Sequence, residues 1–148
     1  MSDEIRVESP DFATLSADVR RLPREAAPHL RAAVEVTGTK VRDTARENAA
    51  GMSHAPAFPW SITYDFVGMA AGGGALGAFV GGGGAYDIEL EIGPDKDRAQ
   101  GALGNLIEYG SVNNAPQGIM HGALQAHEAD LEVGIQKAND AALKAVGL

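Results

Sequence analysis

Residues Gly104 to Gln125 read GNLIEYGSVNNAPQGIMHGALQ, and the layout of the chain turns on them. Leu106 and Ile107 stand beside Glu108 and Tyr109, Gly110-Ser111 ends the run, a polar loop leads to Pro116, and helix-forming sequence resumes near His121. A glycine just after such a run suits the left-handed position past a helix end. The spacing therefore predicts a short helix, capped by Asp95 or Asp97, through Ala102, Leu103, Leu106 and Ile107 to Gly110. A short strand over Leu106 to Tyr109 is the alternative. Beyond the loop, Leu124, Leu131, Ile135, Ala138 and Ala142 share one stripe and predict a last helix over 122–146.

Upstream, YDIELEI alternates cleanly, with Tyr86, Ile88, Leu90 and Ile92 on one face and Asp87, Glu89 and Glu91 on the other. That is the pattern of a half-covered strand. Its acidic face reads as solvated, because alternate strand residues stand about 6.5 to 7 Å apart and no nearby pattern supplies the other ligands of a divalent cation. WSITYDFV, from Trp60 to Val67, is aromatic and β-branched and predicts another strand. Between the two, nine of the seventeen residues from Gly68 to Gly84 are glycine. A phosphate-binding loop ends in Lys and Ser or Thr, but no Lys or Arg occurs from Glu47 to Asp95. The expectation is a flexible hairpin loop, in which Leu76, Phe79 and Val80 are candidates for docking on a partner.

Further upstream, GMSHAPAFP (Gly51 to Pro59) is a turn-rich connection. Ser9-Pro10 opens a first helix, in which Phe12, Leu15, Val19 and Leu22 recur at helical spacing until Pro23 stops it. A second, longer helix is expected from Arg24 to Ala50, with an apolar stripe of Leu30, Val34, Val41 and Ala45. Arg24, Arg31, Glu35, Arg42 and Arg46 fall on the opposite flank. This flank reads as a solvated face with one weak Arg31–Glu35 pair. Alternatively it is a basic ridge for an acidic surface on another copy, which makes Arg24, Arg31, Arg42 and Arg46 interface candidates.

The acidic surface is at hand, since net charge is −8 and residues 61–148 hold eleven acids against Lys96, Arg98, Lys137 and Lys144. Nucleic-acid affinity comes largely from Lys and Arg displacing counterions, so this half disfavours tight phosphate binding. At 148 residues the chain suits one domain. Nineteen glycines and only eight aromatic residues leave its core little bulk, so partners are expected to complete it. The absence of cysteine excludes disulfides, thiolate metal sites and Cys nucleophiles. MSDEIRVESP has no apolar signal segment, and the run from Phe66 to Gly84 is too short and glycine-rich for a spanning helix.

Catalytic patterns are weak. His127 and Asp130 stand one turn apart and His121 lies nearby, but no HExxH-type pairing exists, so His127 reads as a partly covered structural histidine rather than a metal ligand. No nucleophile elbow surrounds any serine. Glu108 beside Tyr109 reads as a hydrogen-bonding or interface residue. The expectation is a protein that is not an enzyme and binds no cofactor or metal.

The order of elements resembles the head-tail joining family, the neck or tail-completion proteins of long-tailed bacteriophages, over roughly Asp11 to Val146. The resemblance rests on Leu106-Ile107-Glu108-Tyr109-Gly110-Ser111, with Ser111 where Thr is usual, then Pro116 and Ala123-Leu124. Two departures stand out. The family's Pro-x-x-Thr-Gly-x-Leu segment is not recognisable in Gly51 to Ser61, and Gly118-Ile119-Met120 replaces the Phe after the loop.

The resemblance implies a single α+β domain over 1–148: short and long N-terminal helices, a small antiparallel sheet with the long Gly-rich hairpin loop, and a C-terminal helix. Glu108, Tyr109, Gly110, Ser111, Pro116 and Leu124 become structural motif positions. It further implies a homo-oligomeric ring, a hexamer, between head connector and tail, with DNA only passing through the lumen. Its partners would be copies of itself, the head connector or stopper, the tail terminator and the tail tube. Its place would be the virion's head-tail junction, and the host cytoplasm during assembly, with no membrane contact. A tail terminator or other tail component is the alternative within this class. A small acidic soluble binding or regulatory protein is the alternative from another class.

Overall fold

The computed structural model describes residues 9–71 and 86–148. Helix α1 (Pro10–Asn48) leads through a 3₁₀ turn (Phe58–Ser61) to strands β1 (Ile62–Ala71) and β2 (Tyr86–Pro94). A second 3₁₀ turn (Gly101–Leu103) precedes helices α2 (Gly104–Tyr109) and α3 (Ile119–Val146). This is the expected α+β class, with a two-stranded antiparallel sheet. Leu76, Phe79 and Val80 lie outside the described residues.

Ser9 caps α1, its hydroxyl accepting from the Phe12 N–H at 3.2 Å, and Pro10 stands in the first turn. The stop expected at Pro23 is absent. One helix of 39 residues continues through Pro23 and Pro28 in place of a short and a long one. Each proline lacks the N–H that would bond four residues back, at the carbonyls of Val19 and Arg24. These positions and both prolines are exposed, so water can serve the two carbonyls, and the Arg, Glu and Ala residues around them favour helix.

α1 and α3 lie antiparallel, since Lys40 meets Asp130 while Thr44 meets His127. Small residues set their spacing: a Cβ on Gly134 would stand 3.2 Å from that of Ala33. Ala138 and Ala142 are buried as the sequence stripe requires, Val146 is buried with them, and Leu131 and Ile135 are half-buried. Leu124 departs from that stripe and is 48 % exposed, while Ala123 takes the covered position beside it.

The sheet covers the other side of α1. Its register pairs Tyr64 with Ile92 and Phe66 with Leu90, and a bulge follows Phe66. Trp60 and Ser61 do not extend β1: Pro59 suits the first turn of a 3₁₀ helix, and the Ser61 hydroxyl donates to the Phe58 carbonyl at 2.7 Å. A Cβ on Gly38 would collide with the Leu90 side chain, so glycine lets β2 approach the helix. The core gathers Val41, Ala45, Ala49, Ala55, Phe58, Ile62, Ile119 and Ala123. Phe58 is the sole aromatic in that cluster, in keeping with the sparse core foreseen from composition. Among the described residues no helix is long and apolar enough to cross a membrane.

Candidate functional site

Leu106 to Tyr109 form helix, not strand. The capping role expected of Asp95 or Asp97 is not observed. Asp95 instead shapes the preceding turn, accepting from the Asp97 N–H at 2.9 Å and from Arg98 Nε at 3.3 Å. At the far end Gly110 closes α2 with φ +75°, and its N–H donates to the Leu106 carbonyl at 2.9 Å. A Cβ there would stand 2.6 Å from both the Asn114 carbonyl oxygen and the Pro116 nitrogen. Only glycine fits.

Ser111 and Asn114 then close the loop on itself through paired backbone bonds of 2.8 and 3.2 Å. The Gln117 and Gly118 N–H groups return to the carbonyls of Ile107 and Glu108. This brings the start of α3 against the end of α2. Gly118, at φ +58°, has no side chain to cap the orphan N–H groups of the new helix. Glu108 supplies both acceptors: Oε2 takes the Met120 N–H at 2.9 Å and Oε1 takes the His121 N–H at 3.0 Å. A carboxylate at the positive end of the α3 dipole adds electrostatic stabilisation. Glu108, Gly110, Ser111 and Pro116 therefore meet in one clamp, whereas Tyr109 points outward, 77 % exposed.

Two grooves flank the clamp. One, of about 440 Å³, is bounded by Leu90, Ile92, Glu108, Tyr109 and Leu124. The other, of about 700 Å³, is bounded by Met52, His54, Leu103, Leu106 and Ala115 and has no Asp, Glu, Lys or Arg in its lining.

The basic ridge of α1 is turned largely onto its own sheet. The Arg31 guanidinium lies 4.5 Å over the Phe66 ring, and that of Arg42 lies 5.3 Å over Tyr64 while reaching Asp43 at 2.7 Å. Arg46 donates twice to the Ile62 carbonyl, at 3.0 and 2.7 Å. Of the four interface candidates, these three act within the chain, and Arg24 lies exposed on α1.

Between α1 and α3 stands a polar network in which the sequence pattern had singled out only His127 and Asp130. Lys40 Nζ donates to Asp130 Oδ2 at 2.8 Å, His127 Nδ1 lies 3.2 Å from the same oxygen, and His127 Nε2 lies 2.8 Å from the Thr44 hydroxyl. The hydrogen bond from Lys40, then that from His127, holds the Asp130 carboxyl below its ordinary pKa. Lys40 and Thr44 stand four apart on α1 and His127 and Asp130 three apart on α3, a spacing that becomes informative once the helices are known to be antiparallel.

Hydroxyl, imidazole and carboxylate follow the order of a nucleophilic triad. Both Thr44 and His127 sit inside helices, where nearby N–H groups are committed to the helix and no donor pair is left for an oxyanion. The network works as a cross-brace. Among the described residues no group of three or more His, Asp or Glu side chains is placed to hold a metal ion. No protein-family model, characterised protein or solved structure matches the chain.

Proposed function

We propose that this chain is a structural assembly protein: a ring subunit at the head-tail junction of a tailed phage, joining the head connector to the tail and letting DNA pass. The observation that carries the reading is the Glu108 clamp. The residues that resemble the joining-family motif do an architectural task, fixing the α2–α3 corner while Tyr109 and Leu106 stay exposed. The thin core adds support, since a subunit with little interior gains from neighbours. So does the net charge of −8, which suits a passage that must not retain DNA.

The ring order drawn from the resemblance is six, and the expected neighbours are the head connector or stopper, the tail terminator and the tail tube. Light scattering on size-exclusion fractions, with electron microscopy of the peaks, tests this. Closed rings, alone or beside tail-tube protein, are the expected result. The groove beside Met52 and Leu106, which no Asp, Glu, Lys or Arg lines, favours a second reading, a small soluble binding protein. A monomer that forms no ring even beside tail-tube protein overturns the first reading in favour of the second.

A further inference from the structure

α1 has 39 residues and α3 has 28, and their register shows where the excess lies. Gly134 stands level with Ala33, whose Cβ lies 3.2 Å from where a Cβ on Gly134 would be. Twelve residues on from Gly134 is Val146, the end of α3, and twelve back from Ala33 is Arg21. The stretch from Pro10 to Arg20 therefore runs past the end of α3, by about 16 Å at 1.5 Å per residue. No position before Ala27 is buried in α1.

This overhang carries an apolar stripe that its own chain leaves exposed. Phe12, Leu15 and Val19 are 63, 45 and 48 % exposed, and they recur with Leu22 at spacings of three and four. At about 100° per residue they lie on the same side of α1 as Ala33, Lys40 and Thr44, which face α3. The overhang thus extends an interhelix face already in use, beyond the helix that covers it. Its charge differs from that of the rest of the chain: Asp11 and Asp18 are balanced by Arg20 and Arg21, against a net −8 overall. Two copies can meet there without the repulsion that opposes contact between their acidic bodies.

We propose that the α1 overhang pairs antiparallel with the overhang of a second copy, across a two-fold axis. Layering Phe12 on the partner's Val19 sets the partner's Pro10 level with Arg21 and brings Leu15 of the two copies together at the axis. The partner helix then begins where α3 stops and fills the line α3 leaves open. Asp18 stands at one edge of the pair, with Arg21 at 3.7 Å to offset its charge. Three apolar side chains per copy bury far less than the roughly 1,200 Å² of a stable interface, so the pair is weak and concentration-dependent. The pairing does not depend on the ring: it makes a dimer alone, or joins two rings face to face.

The chain has no cysteine, so single substitutions report cleanly. In the full chain, Leu15→Cys is expected to form a covalent dimer under oxidised glutathione, since the two positions face each other across the axis within disulfide reach. Phe12→Cys, whose thiols lie about 10 Å apart in this pairing, is expected to stay unlinked. Sedimentation equilibrium of the wild type is expected to rise with concentration toward twice 15.3 kDa. Leu15→Lys, checked for retained helix by circular dichroism, is expected to weaken that association at least tenfold. Three results overturn the pairing: a wild-type monomer at every concentration, Phe12→Cys linking as readily as Leu15→Cys, or association that Leu15→Lys leaves unchanged. In the last case rings that persist leave the ring reading standing. Dimers lost on Leu15→Lys, with no ring at any stage, support the pairing and remove the ring.

Discussion

The backbone N–H of Met120 donates to the Glu108 carboxylate at 2.9 Å, so the last turn of one helix caps the first turn of the next. The loop between them turns at Gly110 and Gly118, both at positive φ. Capping from a distance makes one side chain responsible for an angle between two helices.

Glu108→Ala is expected to cost about 1 to 2 kcal/mol, the range for losing a helix N-cap acceptor near the dipole. Glu108→Gln keeps an acceptor without the charge and should cost less. Urea unfolding of the three proteins measures both steps, and equal stability of all three would show that water replaces the cap.

Gly118→Ala tests left-handed backbone alone, whereas Gly110→Ala adds a collision and a φ/ψ pair that glycine alone adopts readily. Both have positive φ, but an added Cβ meets backbone atoms at 2.6 Å only at Gly110, while nothing lies within 4 Å at Gly118. The expected losses are about 1 kcal/mol at Gly118 and more than about 2 kcal/mol at Gly110. At about 2 to 4 °C per kcal/mol for a chain of this size, thermal melts resolve the difference.

Asp130 gives the pH signature. Its carboxyl is held below the ordinary value by Lys40 and then His127, so its stabilisation is present above the unfolded pKa and is lost as pH falls through the lower folded value. Wild type should therefore exceed Asp130→Asn in stability at neutral pH, and the two should converge only below the ordinary carboxylate range. Denaturation midpoints taken across acid pH check this, and a gap that closes near neutrality would contradict it.

Local chemistry made much of this legible in the sequence. Ser9-Pro10 starts α1, Gly110 ends α2, and alternation from Ile88 to Ile92 marks β2, because each signal acts within a few residues. Pro23 misled for the opposite reason: its local cost is offset by exposed carbonyls and by helix-favouring residues on both sides. The basic ridge was visible, but not that Phe66, Tyr64 and the Ile62 carbonyl would occupy its arginines, since those partners lie 16 or more residues away. For Glu108 the clue came only with the structure. The helix expected from Gly122 begins at Ile119, and only that start shows that Gly118 leaves its first N–H groups to an acceptor from elsewhere or to water.

The clamp also bears on the order of folding. Glu108 and Met120 are twelve residues apart, whereas Thr44 and His127 are separated by 83. Closing the short loop loses less chain entropy than bringing α1 to α3, so the α2–α3 corner is expected to form ahead of the cross-brace. Stopped-flow kinetics should then find that Glu108→Ala slows refolding while Thr44→Ala mainly speeds unfolding. On this account the corner is the nucleus on which α1 is laid down, with its N-terminal turns still reaching beyond the finished fold.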